Sequence, residues 1–236
     1  MRVRKKPWAA QELLDNTLVI NDAPEKKGKW KEYFGNDHPI YVEIGCGKGG
    51  FLSQLAPLHP DINYLGIDIT DKVLILAKRK VEAAYAAAQL PPDNVKIASL
   101  DIERLSGVFS PADTVQRIYI NFCNPWSKNA GSNKHRLTHP RQLLQYRQLM
   151  DEGAEIWFKT DNDPLFAFSL EQFEQEGWEL REVTHDLHAD GPVGVMTDYE
   201  AKFYDQGITI NRCVAVKTED TKCDLYPGTS TGCAPV

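Results

Sequence analysis

Three carboxylates stand where binding chemistry is expected. Glu43, Asp68 and Asp101 each fall at or just past the carboxyl end of a short apolar run, in "IYVEIG", "NYLGID" and "KIASLD". An acid at the second of these places accepts both hydroxyls of an adenosine ribose, and one at the third reaches an adenine amine. Between the first two runs, Gly45, Gly47, Gly49 and Gly50 let the backbone turn sharply and approach a ligand closely. Gly45-x-Gly47-x-x-Gly50 also satisfies the dinucleotide fingerprint, so a nicotinamide or flavin enzyme stands as one reading. Three strand-end acids favour another. They suit a cationic sulfonium amino acid such as S-adenosylmethionine, and would repel a pyrophosphate. Each acid alone is also an ordinary helix cap or solvated side chain.

A fourth apolar run, 118–122, leads to Asn124-Pro125-Trp126. A polar group with a neighbouring aromatic ring can hold a flat nitrogen base by its edge and face. Asn-Pro is equally a good turn opener. Beyond it, residues 124–147 contain Lys128, Lys134, Arg136, Arg141 and Arg147, with His135 and His139, and no acid at all. The whole chain has net charge −6, so a polyanion would meet a local basic patch rather than a basic protein. Thr197-x-x-Glu200 has the form of a capping box, and Asp161 that of a helix cap.

These groups need a scaffold to bring them together. At 236 residues, 42% apolar and 25% charged, the chain reads as one ordinary globular domain. No apolar run approaches a membrane span, and no apolar core follows the basic start "MRVRKK". Five cysteines without a Cys-x-x-Cys pair argue against a disulfide framework and a thiolate metal site, which points to the cytoplasm. His185-x-x-His188, near Asp186 and Asp190, has a metal-like spacing that suits a helix, but the segment reads as irregular, so no metal is expected. Cys46 and Cys123 have no partnering His and receive no nucleophilic role.

Short apolar runs at 40–45, 62–68, 95–98, 115–122, 155–160, 178–184 and 208–216 alternate with helical segments to about 58 and at 70–89, 140–150 and 165–175. That alternation predicts a mostly parallel α/β sheet of seven strands with helices on both faces and ligands at the strands' carboxyl ends. We expect a basic N-terminal extension over 1–35, the domain over 36–217 and a disordered tail over 218–236.

The stretches "KPW", "KGKW", "PIYVEIGCGKGGF", "INYLGIDI", "YINFCNPWSK", "KHRLTHPRQLLQYR", "EIWFKTDN" and "TDYEAKF", in this order, resemble the bacterial tRNA (guanine-N7-)-methyltransferase family from the N-terminus to about residue 216. The resemblance implies a Rossmann-like class I methyltransferase whose last strand runs antiparallel. It also implies S-adenosylmethionine as methyl donor and a guanosine of the tRNA variable loop as acceptor, in a monomer or homodimer without metal or membrane. By resemblance, Glu43, Gly45, Gly47, Asp68, Asp101 and Asn124 contact the cofactor. Lys128, Asp161 and the run Thr197, Asp198, Tyr199 and Glu200 handle the guanosine, while Lys134, His135 and Arg136 meet the tRNA backbone. The family usually carries Asp-Pro-Trp, with that Asp assigned as catalytic. Here the residue is Asn124 and the basic loop is diluted with Asn, Gly and Ser. A catalytically weak tRNA-binding protein is therefore the alternative.

Overall fold

Runs that are apolar on both faces become the inner strands of one sheet. The computed structural model describes residue 12 and residues 16–113, 115–127 and 130–219. Its strands are β1 (Val19–Ile20), β2 (Ile40–Ile44), β3 (Asn63–Asp68), β4 (Val95–Ser99), β5 (Val115–Asn121), β6 (Met150–Thr160), β7 (Trp178–Thr184) and β8 (Asn211–Lys217). They lie side by side in the order β1-β4-β3-β2-β5-β6-β8-β7. All run parallel except β8, which is antiparallel to both β6 and β7.

The sheet has eight strands, not the expected seven, because Val19 and Ile20 pair with Ile97 and Ala98 at the edge. A two-residue strand carries too short a pattern to be read as one. Trp30 is buried as well, its indole Nε1 donating to the Val108 carbonyl at 2.9 Å. Of the segment expected as an extension, residues 1–11 and 13–15 lie outside the described residues, as do residues 220–236 of the expected tail.

Alternate side chains divide the core between the two faces, as the pleat requires. Val42, Ile44, Leu65, Ile67, Ile118 and Ile120 pack with Trp30 and Phe34 of α1 (Trp30–Phe34), Tyr146 of α4 (Pro140–Leu149) and Phe166 and Phe173 of α5 (Asp163–Gln175). Tyr64, Val95, Ile97 and Tyr119 turn the other way, against α2 (Gly50–Leu55) and α3 (Asp71–Ala88). A last helix, α6 (Asp198–Asp205), begins at the capping box and is absent from the alternation read in the sequence. Among the described residues no helix is long and apolar enough to cross a membrane.

The chain passes from β2 leftward to β3, while β5 lies on the right of β2. The order reverses between β2 and β5, which opens a crevice at their carboxyl ends. The elements place the site there.

Candidate functional site

Glu43, one residue before the end of β2, and Asn121, the last of β5, border this crevice. Glu43 is 3% exposed; Asn121 Nδ2 donates to its Oε1 at 3.1 Å, and Oε2 is buried with no hydrogen-bond partner among the described residues. Burial pushes its carboxyl up to about 7, against the pull of the Asn121 bond and the Lys159 charge, with Asp68 adding a smaller upward push. An acid held near neutrality with an orphaned oxygen is poised to receive a cation.

Directly after Glu43, Gly45 and Gly47 take φ of +79° and +51°, and a Cβ at Gly45 would meet nothing within 4 Å. The turn therefore presents bare backbone to open space. Asp68 braces it: its Oδ2 accepts from Gly47 N at 3.1 Å and its Oδ1 from Thr70 N at 2.9 Å. Each carboxylate oxygen has a second lone pair, so Asp68 can still receive a hydroxyl. Asp101 is exposed two residues beyond β4.

Past β5 the chain bends at Phe122, whose φ is +52° and whose N–H donates to the Lys159 carbonyl. Asn124 is exposed, and its Oδ1 accepts from the backbone N–H of Trp126 at 3.0 Å. Only the amide oxygen can accept that proton, so the side-chain orientation is defined and the NH2 stands where an Asp would place its second oxygen. Trp126 is 40% exposed with φ +47°, its ring 5.0 Å from that of His135.

The basic loop is less uniform than its sequence. Lys134 and His135 are exposed, but Arg136 is buried; its Nε donates to the Pro125 carbonyl at 3.0 Å and its guanidinium lies 4.4 Å over Phe168. Arg136 thus props the Asn-Pro-Trp turn from below and does not face outward, a correction to its expected place on the tRNA backbone. Lys128 lies outside the described residues.

The run 197–200 forms the opposite wall. Gln54 Nε2 on α2 donates to Met196 O at 3.1 Å, and Lys80 Nζ reaches Asp198 Oδ2 at 2.6 Å. Asp198 lies so close over the start of α2 that a Cβ on Gly50 would come within 2.6 Å of its Oδ1, so a larger residue there would push the Asp198 carboxylate aside. Tyr199 is 64% exposed, its ring 6.0 Å from Phe203, which lies 6.1 Å from Phe122. The capping box is complete: Glu200 N donates to Thr197 Oγ1 at 3.0 Å and Thr197 N to Glu200 Oε2 at 3.1 Å. Asp161 is exposed just past β6, and the helix cap expected of it is supplied instead by Asn162 Oδ1, which accepts from Leu165 N.

Glu200 departs furthest from a free ligand. It is fully buried, with Lys159 Nζ at 2.6 Å from Oε2 and His188 Nε2 at 3.1 Å from Oε1. Burial lowers the Lys159 ammonium's pKa, and the Glu200 and Glu43 carboxylates partly restore it. Sequence reasoning assigned no role to Lys159 or Asn121. A Lys in the apolar run "IWFKT" was the available signal, since an inward charge in an inner strand needs a partner. His188 belongs to Glu200 and His185 Nδ1 lies 2.7 Å from Asn211 Oδ1, so the two histidines of the metal-like spacing part company. Among the described residues no group of three or more His, Cys, Asp or Glu is placed to hold a metal ion. Burial pushes the Cys123 thiol up to about 12 and Cys46 well above its ordinary value, which leaves neither a nucleophile.

An open α/β sheet with a glycine turn and strand-end acids at its switch point has the architecture of a class I methyltransferase. Solved structures share that fold. The 16S rRNA methyltransferase KamB matches with TM-score 0.60 at 13% identity, over 80% of this chain and 93% of its own. An antibiotic-related methyltransferase matches with TM-score 0.61 at 14% identity, over 86% and 97%. A family described as "Putative methyltransferase" matches residues 37–213. The tRNA (guanine-N(7)-)-methyltransferase of Clostridium beijerinckii is 50% identical over 92% of this chain and 99% of its own length. Those of Clostridium botulinum (strain Alaska E43) and Clostridium perfringens (strain SM101) are 46% and 47% identical, over 93% and 92% of this chain and all of their own. The chain belongs to the tRNA (guanine-N7-)-methyltransferase family.

Proposed function

We propose that the protein transfers a methyl group from S-adenosylmethionine to N7 of a guanosine in the variable loop of tRNA. The observation that carries this reading is the buried Glu43, with an unpartnered oxygen beside an open glycine turn, at the same sheet crevice as the aromatic Asn124–Trp126 turn. The residues fit the cofactor. Glu43 suits its cationic amino-acid end, Gly45 and Gly47 leave room for close backbone approach, and Asp68 and Asp101 suit ribose and adenine. When bound, S-adenosylmethionine supplies an electrophilic methyl group on a positively charged sulfur.

Guanine N7 carries an exposed lone pair and no proton, so the reaction needs alignment and a dry, oriented site rather than a general base. Trp126 offers a ring face, and Asn124 a polar edge locked by its own backbone bond. On this reading Asp161, Thr197, Asp198 and Tyr199 handle the base, and Lys134 and His135 meet phosphates. Asn124 stands as the aligning residue in place of the family's Asp.

Purified protein incubated with unmodified tRNA transcript and methyl-labelled S-adenosylmethionine is expected to yield 7-methylguanosine in the variable loop. Product from Asn124→Asp but none from the wild type would make the protein a tRNA binder derived from an enzyme. No product from either would overturn the substrate or cofactor assignment.

A further inference from the structure

The reading of residues 197–200 as the guanosine-binding turn raises a question about Glu200. Its carboxylate is fully buried and both oxygens are engaged from within: Oε1 by His188, and Oε2 by both Lys159 and the Thr197 N–H. A capping box needs none of this, because a Glu or Gln in solvent serves one equally well. Here the box is locked onto the sheet by a buried cation and onto the preceding segment by a buried imidazole.

His188 is oriented as well as paired. Its Nδ1 accepts from the Val193 backbone N–H at 3.2 Å, so in the neutral ring the proton sits on Nε2, aimed at Glu200. Its ring also stands edge-on to Tyr204, on the next turn of α6, at 5.3 Å. One side chain thus joins the 187–193 segment, the start of α6 and the body of α6. Lys159, from the middle of the sheet, holds the same carboxylate on its other oxygen and lies 5.5 Å over the Phe51 ring of α2, next to Gly50 where Asp198 rests.

We infer that His188 and Lys159 are positioning residues for methyl transfer: through Glu200 they fix the 197–200 turn at the height where Asp198 and Tyr199 face the guanosine, and Glu200 itself touches no substrate. This rests on the functional reading above. A turn that drifts by about 1 Å misaligns a bound base and can cost about a hundredfold in rate without any loss of contact chemistry. On that reading cofactor affinity is set at Glu43, Gly45 and Asp68; Glu43 feels the Lys159 charge, so the test falls on His188.

The test compares His188→Gln with His188→Met. Both fill the ring's space against Tyr204, and only Gln keeps a donor for Glu200. For each we would measure kcat and KM with tRNA, the Kd for S-adenosylhomocysteine, and amide exchange over 197–203. His188→Met is expected to lose about tenfold or more in kcat/KM, with faster exchange over 197–203 and a Kd within about twofold of wild type. His188→Gln should stay within about threefold of wild type on every readout. Equal kcat/KM for Met and Gln, or a loss in the Met variant matched by lost cofactor affinity, would overturn the positioning role. A wild-type protein that makes no 7-methylguanosine would instead overturn the functional reading on which this role rests.

Discussion

Glu43 and Glu200 are buried to the same degree, 3% and 0% exposed, yet their surroundings treat the charge in opposite ways. Glu200 is neutralised from within, by a Lys ammonium and an imidazole N–H. Glu43 receives one amide bond, keeps one oxygen without a partner among the described residues, and has its carboxyl held up at about 7 by burial. A buried carboxylate whose partners are all internal is part of the frame. One left short of a partner at a crevice is where a ligand's donor or cation would fit. The same side chain thus takes two roles around one lysine, whose ammonium holds Glu200 and whose charge also acts on Glu43.

The sharpest way to break that contrast is to remove each acid. Glu200→Ala would leave the Lys159 ammonium buried without its carboxylate, and should cost about 3–5 kcal/mol of stability in urea denaturation. Glu43→Gln should leave the ligand-free protein as stable as wild type or more so. Equal losses would mean that both glutamates are structural.

The pH dependence separates them next. The Glu43 carboxyl is raised in the folded state, from 4.5 to about 7, so between those values the folded protein holds a proton that the unfolded chain has released. Its contribution to stability is present in full below 4.5 and falls away as pH rises toward 7, by about 3 kcal/mol in total. The difference between wild type and Glu43→Gln across this range should show that slope. Affinity for S-adenosylhomocysteine should move the opposite way, rising through pH 7 as Glu43 ionises and can receive a cation.

Glu43→Gln should itself weaken S-adenosylhomocysteine binding at pH 8 by about 10- to 100-fold, the worth of a charged hydrogen bond, as read by calorimetry. Unchanged affinity would move the cofactor's cationic end elsewhere. The smallest effect belongs to Asn124→Asp. One oxygen would keep the Trp126 N–H and the other would replace the outward NH2, so the change is about 1 kcal/mol, or about fivefold in methylation rate, in favour of Asp.

Local patterns carried much of this in advance. Strand–helix alternation, glycine spacing and strand-end acids are all short-range, and each appears where it was expected, with Glu43 and Asp68 on adjacent strands and the glycine turn between them. The basic loop was legible as composition but not as orientation. Nothing in "NKHR" distinguishes the exposed Lys134 and His135 from Arg136, which turns inward to Pro125 and Phe168. The edge strand at Val19–Ile20 was too short to carry a period, and α6 was visible only as its cap.

The sequence by itself determined the strand–helix alternation and the crevice at the strands' carboxyl ends, because burial pattern and residue type act within a few neighbours. Only the tertiary structure decided which buried carboxylate is free and which is satisfied. Lys159 and His188 reach Glu200 from 41 and 12 residues away, and the amide that holds Glu43 comes from 78 residues away. A charge's partner in a folded chain is whatever the packing brings within hydrogen-bonding distance, and separations of that size leave no trace in local spacing.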